Sequence, residues 1–420
     1  MDTKHYKLKN KKFIIFLFSL CFLVYLSTYL GRLNYSASIT AILNNSNFTK
    51  SQTGFIGTTF FFTYGIGQFI SGFLGDKFLP KKLVFIGVFV SSISNLCMAF
   101  NDNYLVMSFF WSINGLFQAF IWSPMIKFVV DFLDDNIKTK ICIYLNLSVP
   151  IGTMLAYLMT ATIISIKDWK FVFIISSIIL LIISFLWLMG YSLIEKNAKN
   201  YGIEYNKTTL NNIKTKNTNT NLFYVILQSG FIFLLFSLIV QGALKDGVIN
   251  WVPVYINEIY QLGDFISIVS TIIIPIFNIF GVYFASLLNN KFKDEIKTSS
   301  IFFFLCSICL FVLFVFSGKN IFISLIMLGI STTTMMGVNT MLIGVLPTNF
   351  SKIDRVSSVS GVLNSFVYIG GAISTYGIGI MSEYIGWENT ILVWILLAII
   401  SCVICLCILK KWKNYKLKNL

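Results

Sequence analysis

The sequence predicts an all-α membrane protein of twelve transmembrane helices in two pseudo-symmetric six-helix halves, and three observations predict it. Of 420 residues, 56% are apolar and only 12% are charged, with a mean hydropathy of +0.79. A soluble domain carries about 25% charged residues. The apolar residues fall in repeated unbroken runs of about 18 or more, the length that lets a helix cross a bilayer. Lys and Arg collect in alternate gaps between those runs. Continuous runs exclude an outer-membrane barrel, whose strands alternate over about ten residues. The first run is long and no small-residue cleavage site follows it, so no cleavable signal is expected.

In chain order the spans are expected near 15–43, 53–75, 82–100, 104–130, 139–164, 170–194, 230–257, 264–289, 299–317, 320–346, 356–381 and 388–409. Leu222–Gln228 is apolar but short, which fits an interfacial piece before the seventh span. The longest polar segment, 195–221, is rich in Asn, Lys and Thr and holds little that could form a core. It divides the chain into a half at 1–194, a cytoplasmic linker at 195–229 and a half at 230–420. The halves echo each other: Asp168-Trp169-Lys170 precedes the sixth span and Gly386-Trp387-Glu388 precedes the twelfth.

The net charge is +15. Most of its Lys and Arg lie in the N-terminal tail, the central linker, the C-terminal tail and alternate loops, whereas the other loops carry only Lys50, Lys167, Lys170 and Lys319. That asymmetry places both termini in the cytoplasm of a cell inner or plasma membrane and leaves no need for a nucleic-acid partner. The expected partners are the bilayer and a small anionic substrate, with the protein acting as a monomer. The eight cysteines sit in apolar stretches. Cys306-x-x-Cys309 and Cys402-x-x-Cys405 lack further His or Cys to complete a metal site, so they read as small helix residues. No nucleophile–base pair, metal cluster or phosphate loop points to an enzyme, and no cofactor is expected.

Two cations remain inside the spans, Arg32 and Lys245. A guanidinium near mid-membrane costs roughly 2.5–3.5 kcal/mol, so it must face protein or water. With Tyr29 and Tyr25 one and two turns earlier, Arg32 is a candidate anion ligand. The alternative is that the apolar run ends near Tyr29 and Arg32 snorkels to the interface, but the apolar pattern resumes through Ala37, Ile39, Ala41 and Leu43. Lys245 lies at a similar depth in the first span of the other half, where a pseudo-two-fold axis would set it across a cavity from Arg32. Its alternative is a local pair with Asp246, which is poor in a regular helix because adjacent side chains point about 100° apart. Asp246-Gly247 can mark a helix break. Tyr25, Tyr29 and Tyr64 offer hydroxyl donors, and Trp122 and Trp251 offer an apolar wall. The same aromatics equally suit packing or a lipid belt. Gln118 is a candidate ligand or a helix–helix bond.

Gly72-Phe-Leu-Gly75-Asp76-Lys77, followed by Pro80-Lys81-Lys82, is expected in the loop between spans two and three. It resembles the signature loop of the major facilitator superfamily, whose build is two six-helix halves and a cytoplasmic linker. Asp76, Lys77 and Lys127 are therefore expected to act in gating. Tyr29-Leu-Gly-Arg32-Leu-Asn34-Tyr35-Ser36, Tyr64-Gly65-Ile-Gly67-Gln68-Phe69, Asn114-Gly115-Leu-Phe-Gln118-Ala-Phe-Ile-Trp122-Ser-Pro124 and Gly247-Val-Ile-Asn250-Trp251-Val-Pro253-Val-Tyr255 resemble the organophosphate:phosphate antiporters within it. That resemblance runs over essentially the whole chain. It implies transport of phosphate esters such as glycerol-3-phosphate and hexose phosphates, with Arg32 at the family's first-span phosphate ligand and Lys245 at its seventh-span arginine. Tyr25, Tyr29 and Tyr64 fall on cavity positions. Gln68 stands where the family has a lysine and Leu147 where some members have a histidine. Lysine for arginine loses the planar fork that grips two oxygens.

Apart from Asp246, no acid stands out at mid-membrane in spans one, four, five or ten. That favours exchange of one anion for another over proton-driven uptake. A sensor of the same fold, or a proton-coupled carrier that uses Asp246, are the competing readings.

Overall fold

The computed structural model describes residues 5–77, 79–134, 137, 141–142, 144–205, 231–347, 349 and 356–419. The expected segment Leu222–Gln228 and most of the linker lie outside the described residues. Long apolar helices account for nearly everything else.

The first rod is α1 (Lys11–Leu30) and α2 (Leu33–Asn45), broken at Gly31–Arg32. Next come α3 (Lys50–Lys77) and α4 (Pro80–Ala99), the latter started by a proline whose missing N–H costs nothing there. The fourth rod is α5 (Tyr104–Gln118) and α6 (Trp122–Phe132), broken at 119–121. Then follow α7 (Ser148–Ile164) and α8 (Lys170–Tyr201). After the undescribed stretch, α9 (Phe231–Gly242) passes through a π turn (Ala243–Gly247) into α10 (Val248–Tyr260). The chain continues with α11 (Gly263–Ser270), α12 (Ile273–Phe292) and α13 (Glu295–Phe316). Then α14 (Ile321–Asn339) ends in a second π turn (Thr340–Val345). Finally come α15 (Val356–Tyr384) and α16 (Gly386–Asn419). A two-stranded ribbon pairs β1 (His5–Lys7) with β2 (Ile203–Tyr205), antiparallel.

Among the described residues, nine helical rods are long and apolar enough to cross a membrane, and α7 is a shorter apolar helix. The helices α3 and α15 are long but dilute their apolar residues with Gly, Ser and Thr. They pack against each other, where small residues let backbones approach. Large apolar side chains such as Leu23, Phe62, Ile178, Phe280 and Leu396 are exposed around the outside, as a surface facing lipid tails requires. Trp111, Trp251, Tyr35 and Tyr255 are fully buried in a core that joins helices from both ends of the chain.

The structure corrects two boundary expectations. The stretch Gly72–Lys77, expected in a loop, is the last part of α3, because nothing in it stops a helix before Pro80. The sixth rod runs to Tyr201, where the β2 strand begins, so the polar residues after 194 extend the helix.

Polar ties join the two parts of the chain at one end of the bundle. Lys50 Nζ lies 2.7 Å from Glu258 Oε2, which also accepts from Trp387 Nε1 at 2.7 Å. Ser51 donates to Glu383 through its N–H at 2.9 Å and its hydroxyl at 2.6 Å. Asn44 and Asn257 both donate to Asp264 Oδ1, at 2.9 and 2.7 Å. At the opposite end Lys7 Nζ donates to the Leu133 carbonyl at 2.6 Å, and Asn349 donates to Glu295 at 2.8 Å.

Candidate substrate site

The site grows from a break in the first rod. A helix that stops and restarts frees carbonyl groups, and in a membrane interior each needs a donor. Here the donors are side chains. The Gly31 carbonyl accepts from Asn95 Nδ2 at 3.1 Å, Asn114 Nδ2 at 2.8 Å and Gln118 Nε2 at 3.2 Å. The Leu30 carbonyl accepts from Ser176 Oγ at 3.0 Å. Asn34 Nδ2 donates to Asn95 Oδ1 at 2.8 Å and locks the restart. Three amides from α4 and α5 thus hold the turn that presents Arg32.

Arg32 itself is half-buried, and its Nε is buried with no hydrogen-bond partner. Among the described residues no carboxylate lies within ion-pair distance of it. Its guanidinium instead stands over aromatic faces: Tyr64 at 4.6 Å, Phe60 at 5.4 Å and Tyr29 at 5.7 Å from the ring centroids. Such contacts are worth about 2 kcal/mol or more when desolvated, less than a charge loses on leaving water. The aromatic wall continues in both directions. Tyr64 lies 4.9 Å from Tyr368 on α15, Tyr29 lies 5.6 Å from Tyr25, and Tyr25 lies 4.3 Å from Trp122.

The π turn Ala243–Gly247 sits at the matching place in the rod after the linker. Val248 N–H reaches back to the Ala243 carbonyl, one residue further than in an α-helix, and that carbonyl also accepts from Ser374 Oγ at 3.2 Å. Glycines make the turn possible. A Cβ on Gly242 would strike the Val367 backbone, and one on Gly247 would strike the Ser374 side chain. The turn therefore presses directly onto α15. Widening the turn lets the flexible Lys245 stem fold back beside its neighbour, and Lys245 Nζ lies 3.3 Å from Asp246 Oδ1. The expectation that Lys245 faces an anion alone gives way to this pair, because the residues are not in a regular helix. Both side chains are largely buried, at 18% and 16% exposure. Asp246 lies beside Gly371 of α15.

Beside the first break is a small cleft of about 10 Å³, roughly the room of one water. Arg32, Ser36, Phe60, Phe61 and Asn250 line it. On the side toward the tied end it is shut by a polar chain: Ser36 Oγ donates to Asn250 Oδ1, and Asn250 Nδ2 donates to Thr375 Oγ1 at 3.2 Å.

Other expected ligands fall elsewhere. The Gln118 amide nitrogen is shared among Gly31, Thr28, Ser91 and Asn114, so it positions the Arg32 turn rather than a substrate. Trp251 is fully buried away from the cleft. Its Nε1 donates to the Thr375 carbonyl at 2.9 Å, and its ring is wedged against Gly54 and Gly379 at the α3–α15 crossing. Trp122, Tyr25, Tyr29 and Tyr64 do form one wall with Arg32. Gln68 is half-buried on α3, and Lys127 is half-buried on α6. The side chains of Asp76 and Lys77 lie outside the described residues. Phe60, Tyr368, Asn95 and Ser374 carry parts of the site that the sequence alone did not single out.

A membrane-embedded cation, held at a broken helix between two sets of rods, is the arrangement of a carrier. Residues 21–375 match the Major Facilitator Superfamily. The chain belongs to the Major Facilitator Superfamily. It is 23% identical to the "Probable hexose phosphate transport protein" of Chlamydia trachomatis, over 96% of this chain and 92% of that one. It is 24% identical to the "Glycerol-3-phosphate transporter" of Bacillus subtilis, with the same coverage of 96% and 92%. In structure it resembles a bacterial homologue of the human lysosomal transporter Spinster in its inward-facing, occupied conformation. The TM-score is 0.78 at 11% identity, over 96% of this chain and 98% of that one, a likeness of fold. It is a multi-pass membrane protein of this superfamily's fold.

Proposed function

We propose that the protein is a twelve-span transporter that exchanges a phosphate ester for inorganic phosphate by alternating access, as a monomer with both termini cytoplasmic. Residues 1–194 and 230–420 are the two moving halves, and 195–229 is the linker. The observation that carries this reading is Arg32, a buried guanidinium with aromatic faces around it and an unpartnered Nε. Its planar fork suits two oxygens of one phosphoryl group. The hexose-phosphate and glycerol-3-phosphate carriers among its relatives supply the substrate class. The tyrosine wall supports the organic part of the ester, offering ring faces and hydroxyl donors.

Exchange follows from cost. An empty carrier moves its unpaired guanidinium through the low-dielectric centre, whereas a loaded one moves a neutralised pair, and the difference is of the order of several kcal/mol. Each 1.4 kcal/mol slows empty return about tenfold. The test is uptake of glycerol-3-phosphate and glucose-6-phosphate by proteoliposomes, with and without internal phosphate. Uptake that requires internal phosphate is the expected result. Equal uptake into phosphate-free vesicles would overturn exchange, and binding without uptake would favour a sensor.

A further inference from the structure

Lys245–Asp246 changes the charge of the site. Without Asp246 the two helix breaks would carry two cations, Arg32 and Lys245. With it, Arg32, Lys245 and Asp246 sum to a single positive charge. Asp246 is held within the site: the π turn sets its carboxylate 3.3 Å from the ammonium, and it lies beside Gly371, one turn along α15 from Tyr368, whose ring packs on Tyr64 against the Arg32 guanidinium. We infer that Asp246 is an ionic-form selector, which makes the site prefer the singly charged form of a phosphate ester over the doubly charged form. This inference rests on the phosphate-ester reading above and asks which protonation state that site takes.

The physical argument is neutrality. A loaded carrier crosses its occluded state most easily when site and substrate charges cancel, because an uncompensated charge in a dry site is costly. A site of net charge +1 is cancelled by a monoanion. A dianion would leave one negative charge over, next to the Asp246 carboxylate.

The charged and titratable groups of the surrounding elements are Lys245 from its own turn, Arg32 from the α1–α2 break, and Tyr29, Tyr64 and Tyr368 of α1, α3 and α15, which lie around Arg32. The single histidine of the chain, His5, lies on β1. Between pH 5.5 and 8 the ester itself titrates, because its second proton leaves near pH 6.

Binding of glycerol-3-phosphate to the purified protein, measured by calorimetry from pH 5.5 to 8, tests this. Over that range the monoanion fraction falls by about seventyfold for a pKa near 6, and wild-type affinity should fall nearly in step. Asp246→Asn raises the site charge to +2, so it should bind at least tenfold tighter than wild type at pH 8 and show a flat or rising profile. Asp246→Glu keeps the carboxylate and should keep the falling profile, which separates charge from misfolding. The inference is overturned if Asp246→Asn falls with pH as wild type does, or if wild-type affinity rises with pH. A wild type that binds neither glycerol-3-phosphate nor inorganic phosphate at any pH would overturn the phosphate-ester reading, and this inference with it.

Discussion

Two helix breaks, one in the first rod and one in the rod after the linker, treat their cations in opposite ways. In the first rod, the break at Gly31–Arg32 has its freed carbonyls gripped by Asn95, Asn114 and Gln118. All that polar material is spent on the backbone, and Arg32 is left with aromatic faces. In the rod after the linker, the π turn spends one serine on its freed carbonyl and gives the cation a carboxylate of its own. Arg32 has no carboxylate partner among the described residues, and Lys245 has one beside it. A pseudo-symmetric fold thus fixes the positions of the two breaks without fixing how their charges are satisfied.

The most disruptive way to break this comparison is to remove the waiting guanidinium. Arg32→Lys keeps the charge but loses the fork. A charge-assisted bidentate contact is worth about 1.5–3 kcal/mol, so phosphate counterflow should drop about 10- to 100-fold at equal protein in the vesicles. Full activity in Arg32→Lys would mean that the aromatic cage, and not the fork, defines the site.

Next in size is the internal pair. Lys245→Gln leaves the Asp246 carboxylate without its partner, and breaking a buried pair costs about 3–5 kcal/mol. That cost falls mainly on stability, and with the pair partly exposed the expected loss of anion affinity is about 1 kcal/mol, roughly fivefold. Lys245→Gln with Asp246→Asn should recover most of it, since the site returns to one positive charge. The cycle should give a coupling of roughly 1–3 kcal/mol. Additive losses in calorimetric affinity would show that the two groups act separately.

Much of this arrangement is legible in the chain. Lys and Arg spacing and apolar runs mark the rods, and their expected ends fall within a few residues of α3, of α5 with α6, of α11 with α12, and of α14 with its π turn. Arg32 stands out because its cost in a span demands a reason. Asp246-Gly247 signals a break, and with the break the pair with Lys245 becomes geometrically possible. The use of each amide is hidden. Gln118 looks like a substrate ligand because nothing in its own helix says that a carbonyl more than eighty residues earlier has been freed. Trp251 looks like a cavity wall because its real neighbours, Gly54 and Gly379, are glycines on two other helices whose crossing only the fold creates. Gly31 reads as an ordinary residue of a continuous span.

The grip on the first break gives a smaller effect. Asn114→Leu removes one of three donors to the Gly31 carbonyl, and Asn95 and Gln118 remain. A typical net hydrogen bond is worth about 1 kcal/mol. The detergent-solubilised protein should unfold a few degrees lower, and phosphate affinity should fall by less than about fivefold. A collapse of affinity with unchanged melting would instead make Asn114 a ligand.

The smallest effect belongs to the tied end, where the comparison between breaks becomes a question of how the two halves meet. Lys50, Glu258 and Trp387 form a cluster: the ammonium lies 2.7 Å from the carboxylate and 5.7 Å from the indole centroid, and the indole N–H also donates to Glu258. This is the most connected of the ties, yet its side chains remain 18% and 35% exposed. Water and ions screen such pairs, and exposed pairs contribute about 0–1 kcal/mol. Lys50→Ala should therefore shift the balance between closed and open tied ends by no more than about fivefold, read as the modification rate of a cysteine placed at Ser36. High salt should reproduce part of that shift in the wild type, because it screens the same pair, and should add little in the variant. Glu258 would keep its indole donor, so the end should still close. A shift beyond about tenfold, insensitive to salt, would mean that this cluster is a latch that competes with Arg32 for control of the cycle. The internal pair at Lys245–Asp246 would then no longer be the main difference between the two sides of the site.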